Sequence, residues 1–365
     1  MAMNRTILGL VLLGVVAAVA IGVTQFDLSG LLQRASPRDP VTVSIFVGGE
    51  KSALLANPKV AAIIKDRYRI TLDATRAGSI EMVTTLDTAG KDCLWPSNGV
   101  AEEMARASGK TVLSDETIFN SPIVLYAWSD VADALFKTGV VHAAPDGTLL
   151  ADVQKMGGLI SSAKRWKEDL GLNIYGPFKV TSTDPAKSNS GNIWAALLAT
   201  SLNGGNPPTE ASLPVLLPQL QAYFASMGFM DASSGDLFEN FLKQGMGARP
   251  IIVGYENQLV EFVTENQRYA DLIKAKIKVI YPEPTIFASH PLISLTPKCK
   301  RLAEALVDPE LQQIAWAEHG FRTGLIGVNN DPALITVAKL PETIALVVPM
   351  PSAKVMTDIV AALQQ

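Results

Sequence analysis

The chain has 365 residues, 48% of them hydrophobic and 18% charged. That leaves room for two ordinary cores and excludes both a disordered chain and a multi-span membrane protein. With 31 basic against 35 acidic residues the formal net charge is −4, and no stretch is dense in Lys and Arg; nucleic acid is set aside as a partner, because neutralising phosphates takes clustered positive charge.

Between Arg5 and Asp27 lie 21 uncharged residues dominated by Ile, Leu, Val, Ala and Gly. As a helix they would reach about 31 Å, the depth of a bilayer core. The amino terminus and Arg5 place positive charge on the front side, which predicts a cytoplasmic start and an exported body. Ala18-Val19-Ala20 has the small-x-small form of a signal-peptidase site, yet the apolar run continues through Val23. Residues 1–26 are therefore read as a retained transmembrane helix, single-pass with the body outside (periplasmic), with a cleaved signal peptide as the alternative. Residues 27–40, which include Ser36-Pro37-Arg38-Asp39-Pro40, read as a linker. Cys93 and Cys299 lack the paired spacing of a zinc or redox site and are read as two separate buried thiols, although an exported chain would permit a bond between them.

Past the linker, strands and helices alternate. VTVSIFV at 41–47 is a β-branched apolar run ended by Gly48-Gly49, a buried strand and its turn. Helical spacing over 58–67 precedes an alternating strand over 68–75, a helix over 80–87, a short strand over 92–95 and a helix over 100–108. A strand over 120–128 follows, then a long amphipathic stretch, 149–170, and a strand over 176–181. Helices are predicted over 192–202, 213–227 and 237–244, strands over 250–254, 277–281 and 291–295, and helices over 297–307 and 309–318. This alternation predicts an α/β fold built on parallel strands.

Several strand ends carry Gly, Ser or Asn where a helix opens: Gly48-Gly49-Glu50-Lys51-Ser52, Gly78-Ser79, Ser97-Asn98, Asn120-Ser121, and Ser188-Asn189-Ser190-Gly191, the last preceded by the turn Ser182-Thr183-Asp184-Pro185. Such turns aim free backbone N–H groups and a partial positive charge above the sheet, where ligands of open α/β sheets collect. Any single one is usually only a helix cap. Tyr255-Glu256 closes a strand with two more hydrogen-bonding side chains. Catalytic signatures are thin: His142, His290 and His319 stand in no metal-ligand spacing, and there is no G-x-S-x-G elbow, phosphate loop or dinucleotide fingerprint. No enzyme activity, metal or cofactor is expected.

The segment IYGPFKVTSTDPAKSNSGNIWAALLATSL, residues 174–202, resembles the second lobe of type II periplasmic binding proteins, in which a Thr-Asp-Pro-x-x-Ser-x-Ser-Gly pattern leads a helix facing the ligand cleft. Residues 281–292 are similar to the family's return strand in its molybdate-, sulfate- and phosphate-binding branches, and AWAEHGF at 315–321 is similar to its late helix. The resemblance implies a two-lobed fold with crossing hinge strands: residues 41–125 and 285–365 form lobe one, and residues 126–284 form lobe two with the hinge. It implies that Gly49, Gly78, Ser79, Ser97 and Asn98 face the ligand from lobe one, and Ser188, Ser190 and Gly191 from lobe two. Tyr255 and Glu256 then stand near the hinge. Glu50, Lys51, Ser121, Thr183 and Asn189, in the same turns, complete the candidate ligand-binding set. The expected function is extracytoplasmic solute binding, with an oxyanion as a candidate ligand and an ABC-type permease as partner; the alternative is a membrane-anchored sensor or interaction module. Glu50 would oppose an anion unless Lys51 or Arg76 offsets it.

Overall fold

The computed structural model of the protein describes residues 39–328, 330–335 and 340–364. The helix expected over residues 1–26 lies outside them, and no helix among the described residues is long and apolar enough to cross a membrane.

Ten strands are hydrogen-bonded together, eight of them along one path in the order β2-β1-β3-β9-β4-β8-β6-β5, with β7 and β10 branching from β4: β1 (Val41–Val47), β2 (Ile70–Arg76), β3 (Cys93–Trp95), β4 (Ser114–Trp128), β5 (Val141–Ala143), β6 (Leu149–Asp152), β7 (Ile251–Tyr255), β8 (Ile277–Glu283), β9 (Phe287–Ser294) and β10 (Arg322–Thr323). In the first lobe β2, β1 and β3 run parallel, and β9 joins β3 to the front half of β4 in antiparallel pairing. The back half of β4, from Ile123, pairs instead with β7 and β8, and β8 carries β6 and β5 to complete the second sheet. β4 and the β8–β9 passage are thus the two crossing strands. The helices include α1 (Ser79–Thr84), α2 (Asn189–Leu202), α3 (Ser234–Gln244), α4 (Glu256–Glu265), α5 (Pro309–His319) and α6 (Ala353–Leu363).

Packing corrects three expectations. The stretch 149–170 is not one amphipathic unit: Leu149–Asp152 pairs with β8, and Asp152 then caps a helix, Val153–Ser161, by accepting from the Lys155 N–H at 2.9 Å. Residues 176–181 keep only isolated bridges, at Pro177 and Thr181, because Gly176 takes a left-handed φ of 96° and Pro177 has no N–H for a ladder. Helix α6, expected with lobe one, packs on both lobes: Ala353 lies in one core with Ile80, Met104 and Ile293 of the first, while Val355, Met356 and Ile359 lie in the same core as Trp194, Leu220 and Phe224 of the second.

The cysteines are likewise not separate thiols. Cys93 lies opposite Ser294 in the β3–β9 ladder, and the helix Cys299–Leu306 brings Cys299 back over it. The two form a disulfide with their Cα atoms 5.6 Å apart, closing a loop across a sequence separation of 206.

Polar contacts also tie α4, which continues from β7 of the second lobe, to α5 and the segment after it. Arg322 grips the buried Glu256 carboxylate twice, at 2.7 and 2.9 Å, and the Tyr281 hydroxyl donates to the same carboxylate at 2.6 Å. One turn on, Glu261 meets His319 Nδ1 at 3.0 Å. Burial pushes the Glu261 carboxyl up to about 7, against the opposing pull of His319.

Two outcomes follow. Replacing both cysteines by Ser should lower the unfolding free energy by roughly 2–5 kcal/mol, read by urea denaturation, since a long closed loop restricts the unfolded chain; an unchanged midpoint would show that the bond contributes nothing. Because the folded carboxyl of Glu261 titrates above an unfolded one, the native state holds the extra proton and stability should fall as pH rises from about 5 to about 7. Glu261→Gln should flatten that slope, and a slope identical to the parent's would remove Glu261 as its source.

Candidate functional site

Parallel β1, β2 and β3 deliver their carboxyl ends to one edge of the first sheet. The turns that follow, Gly48–Glu50, Gly78–Ser79 and Ser97, line a cavity of about 530 Å³. Its opposite wall comes from the second lobe: Ser188 and Asn189 at the opening of α2, Ser233–Gly235 at the opening of α3, and Tyr255 at the end of β7. The Ser188 turn and the Gly78 turn therefore face each other. Their approach is close enough that a Cβ on Gly78 would stand 2.5 Å from the Lys187 carbonyl oxygen. Glycine is required there by backbone-to-backbone contact between lobes.

Two side-chain links cross the floor of the cleft. Asn189 donates through Nδ2 to the Ser97 carbonyl and, at 3.1 Å, to the Tyr255 hydroxyl. Asn98 donates to Asn192 Oδ1 at 3.0 Å while its own Oδ1 accepts from Val100 N–H. Ser79 and Ser97 hydroxyls meet at 3.0 Å on the first-lobe side. Burial raises the Tyr255 hydroxyl well above the ordinary phenol range, so it stays protonated as a hydrogen-bonding group.

Of the residues singled out in the sequence, Gly49, Glu50, Gly78, Ser79, Ser97, Ser188, Asn189 and Tyr255 reach the cavity. The others stand behind its wall. Lys51 is fully buried over the Trp95 ring, 5.4 Å from its centroid, with its ammonium on Glu50. Burial lowers its pKa, with Glu50 opposing that shift. Asn98 is committed to the floor link just described. Thr183 and Ser190 share a buried hydroxyl contact of 2.7 Å, and Gly191 packs on the Thr183 carbonyl, where a Cβ would overlap it. Ser121 is buried in β4 opposite Ala288. Glu256 is spent on Arg322 and Tyr281. These residues hold the turns in place rather than facing the cavity.

Sequence reading missed the α3 opening. Ser233 accepts from the Asp236 N–H at 3.1 Å, and Ser233-Ser234-Gly235 repeats the small-hydroxyl signal seen in the other turns. It also missed the inner face of α4, which supplies Gln258, Glu261, Phe262 and Glu265, and Phe238 from α3. Five glutamates reach the cavity, Glu50, Glu81, Glu239, Glu261 and Glu265, against two cations, Arg76 and Lys187. His290, buried behind Glu50 with its Nδ1 3.7 Å from that carboxylate, is held well below the usual imidazole range by burial and then by Lys51; it is neutral, and 3.7 Å is too long for a hydrogen bond. Among the described residues no group of three or more His, Cys, Asp or Glu is placed to hold a metal ion.

No family model matches the sequence, and no curated protein matches it. Solved structures do. Iron-bound HitA from Pseudomonas aeruginosa matches with a TM-score of 0.57 at 10% identity, over 89% of this chain and 100% of that one. A ferric binding protein from Campylobacter jejuni gives 0.54 at 11% identity, over 88% and 97%. The sulfate-binding protein SubI from Mycobacterium tuberculosis H37Rv gives 0.50 at 13% identity, over 89% and 96%. At such identities the likeness is one of fold: this chain has the two-lobed α/β architecture of the type II periplasmic substrate-binding proteins.

Proposed function

We propose that the protein is an extracytoplasmic solute-binding protein that clasps a small molecule between its lobes, for an ABC-type transporter. The observation that carries this reading is a cavity walled on one side by strand-end turns of one lobe and on the other by helix openings of the second. A solute held by both walls favours the closed arrangement over an open one, and only such two-sided contact can drive closure. The substrate-binding proteins of similar fold support the role, and a disulfide between Cys93 and Cys299 suits an oxidising compartment outside the cytoplasm. A membrane tether through residues 1–26, single-pass with the body outside, remains part of the proposal. For the ligand, the openings of α2 and α3 favour an oxyanion, whereas the carboxylates of the lining oppose one.

The test is a thermal-shift screen with sulfate, molybdate, phosphate, agmatine and glucose, repeated on Ser188→Trp, whose indole would fill the cavity beside α2. A compound at about a hundred times its Kd should stabilise the parent by roughly 2.7 kcal/mol. The variant should show none of that shift while melting near the unliganded parent. Equal shifts in both proteins would move the binding site elsewhere.

A further inference from the structure

Glu261 lines the cavity and keeps 14% of its side chain exposed. Its helix, α4, packs in a second-lobe core through Leu259 and Val263. Its partner His319 ends α5, whose Leu311, Ile314 and Ala315 lie in a first-lobe core. One oxygen of the carboxyl is engaged by His319 Nδ1 at 3.0 Å. The other has, among the described residues, only a long contact of 3.5 Å with the Asn257 amide, and so is left to the cavity.

What lies behind His319 fixes the proton on its ring. Asn57 Oδ1 accepts from the Lys59 N–H at 3.0 Å and caps a first-lobe helix, Pro58–Ala62, so Nδ2 is the end that reaches the imidazole. That nitrogen donates to Glu318 Oε2 at 2.9 Å and to His319 Nε2 at 3.0 Å. An amide nitrogen can only donate, so Nε2 accepts and the ring proton sits on Nδ1, facing Glu261. A second proton on Nε2 would set N–H against N–H at a side chain that is buried. Within this arrangement an added proton goes to Glu261, on the oxygen left to the cavity.

The charges around the carboxyl favour the same outcome. Burial is the largest push towards its neutral form, and the group titrates at about 7. Glu265, one turn on in α4, and Glu50, from the turn after β1, both oppose a further negative charge. Tyr126 of β4 also faces it and, raised by burial, brings a neutral hydroxyl. Lys59 is bound to Glu318 at 2.5 Å, and Arg322 to Glu256 at the start of α4.

Resting on the clasping reading above, we propose that Glu261 is a proton-binding member of the solute site, with Asn57 as the positioning residue that keeps His319 a neutral donor to it. The protonated carboxyl offers the cavity an O–H donor, and the ionised one offers a charged acceptor. A solute touching that oxygen favours one form over the other, so its binding takes up or releases a proton.

The first measurement needs no solute. Nitrogen NMR of the full chain at pH 7 should show His319 as the Nδ1–H form. Carbon NMR of labelled glutamate should show a carboxyl with its midpoint near 7 that is absent in Glu261→Gln. Asn57→Asp keeps the capping oxygen but turns the donor into an acceptor. His319 should then carry both protons, and the Glu261 midpoint should fall by about one pH unit or more, as beside any new cation. A doubly protonated His319 in the parent, or a midpoint unmoved by Asn57→Asp, would overturn the assignment.

The second is calorimetric titration at pH 7 with sulfate, molybdate, agmatine and glucose, in two buffers of unlike ionisation enthalpy. A probe that binds should exchange up to about half a proton per site, read as a difference in heat between buffers, and Glu261→Gln should remove that difference. Identical heats in both buffers, or a difference that survives in Glu261→Gln, would take Glu261 out of the site and leave the clasping reading standing. Silence from all four probes would overturn the clasping reading and the proton exchange with it.

Discussion

The molecule depends on one strand serving two sheets. β4 spends its front half against β9 and its back half between β7 and β8. The changeover falls at Pro122, which has no N–H to give to either ladder and so marks the point where pairing can change sides. Antiparallel to it, the β8–β9 passage makes the same journey in reverse. Two strands bonded to one another cannot slide without breaking a run of backbone hydrogen bonds, so relative motion of the lobes is confined to bending where the crossings leave each sheet. Everything at the cleft follows from this: the turns after β1, β2 and β3 on one side, and the openings of α2 and α3 on the other, are aimed at a common point by sheets that share a spine.

Behind the cavity wall stands a second layer that fixes the first. The ammonium of Lys51, wholly buried over Trp95, holds the Glu50 side chain, and the neutral His290 fills the space behind it. An unpaired Lys at this depth would be expensive; beside Glu50 and an aromatic face it becomes part of the scaffold. Glu256 plays a comparable part for the second lobe, since the Arg322 guanidinium and the Tyr281 hydroxyl together fix the start of α4. Polar residues at strand ends thus divide into those that touch the cavity and those that lock the backbone just beneath it.

That division explains how far sequence could be read. The strands β1 and β7, the helices α2 and α5, and the pattern of small residues at helix openings are local properties, set by β-branched runs, by Pro at the start of α5 and by hydroxyl-bearing turns. Which of those turns face a common space is a matter of tertiary placement, and so Glu256, Thr183 and Ser190 look equivalent to Tyr255, Ser79 and Ser188 until the packing is known. The inner face of α4 carries no turn signal at all; Glu261 and Phe262 enter the site because β7 points that helix along the cleft. The pairing of Cys93 with Cys299 arises from the β3–β9 ladder, across a separation that no local pattern spans. Residues 176–181 mislead in the other direction, because an apolar alternation there is interrupted by Gly176 and Pro177.

The placement of α6 has a practical consequence. The chain enters the body through β1 in one lobe and, after crossing back beyond Arg322, finishes on the core of the other. The two extremities of the body are therefore carried by different halves. A donor dye near Val41 and an acceptor near Leu363 would therefore sit on different halves, and their separation would report any change in how the halves are held.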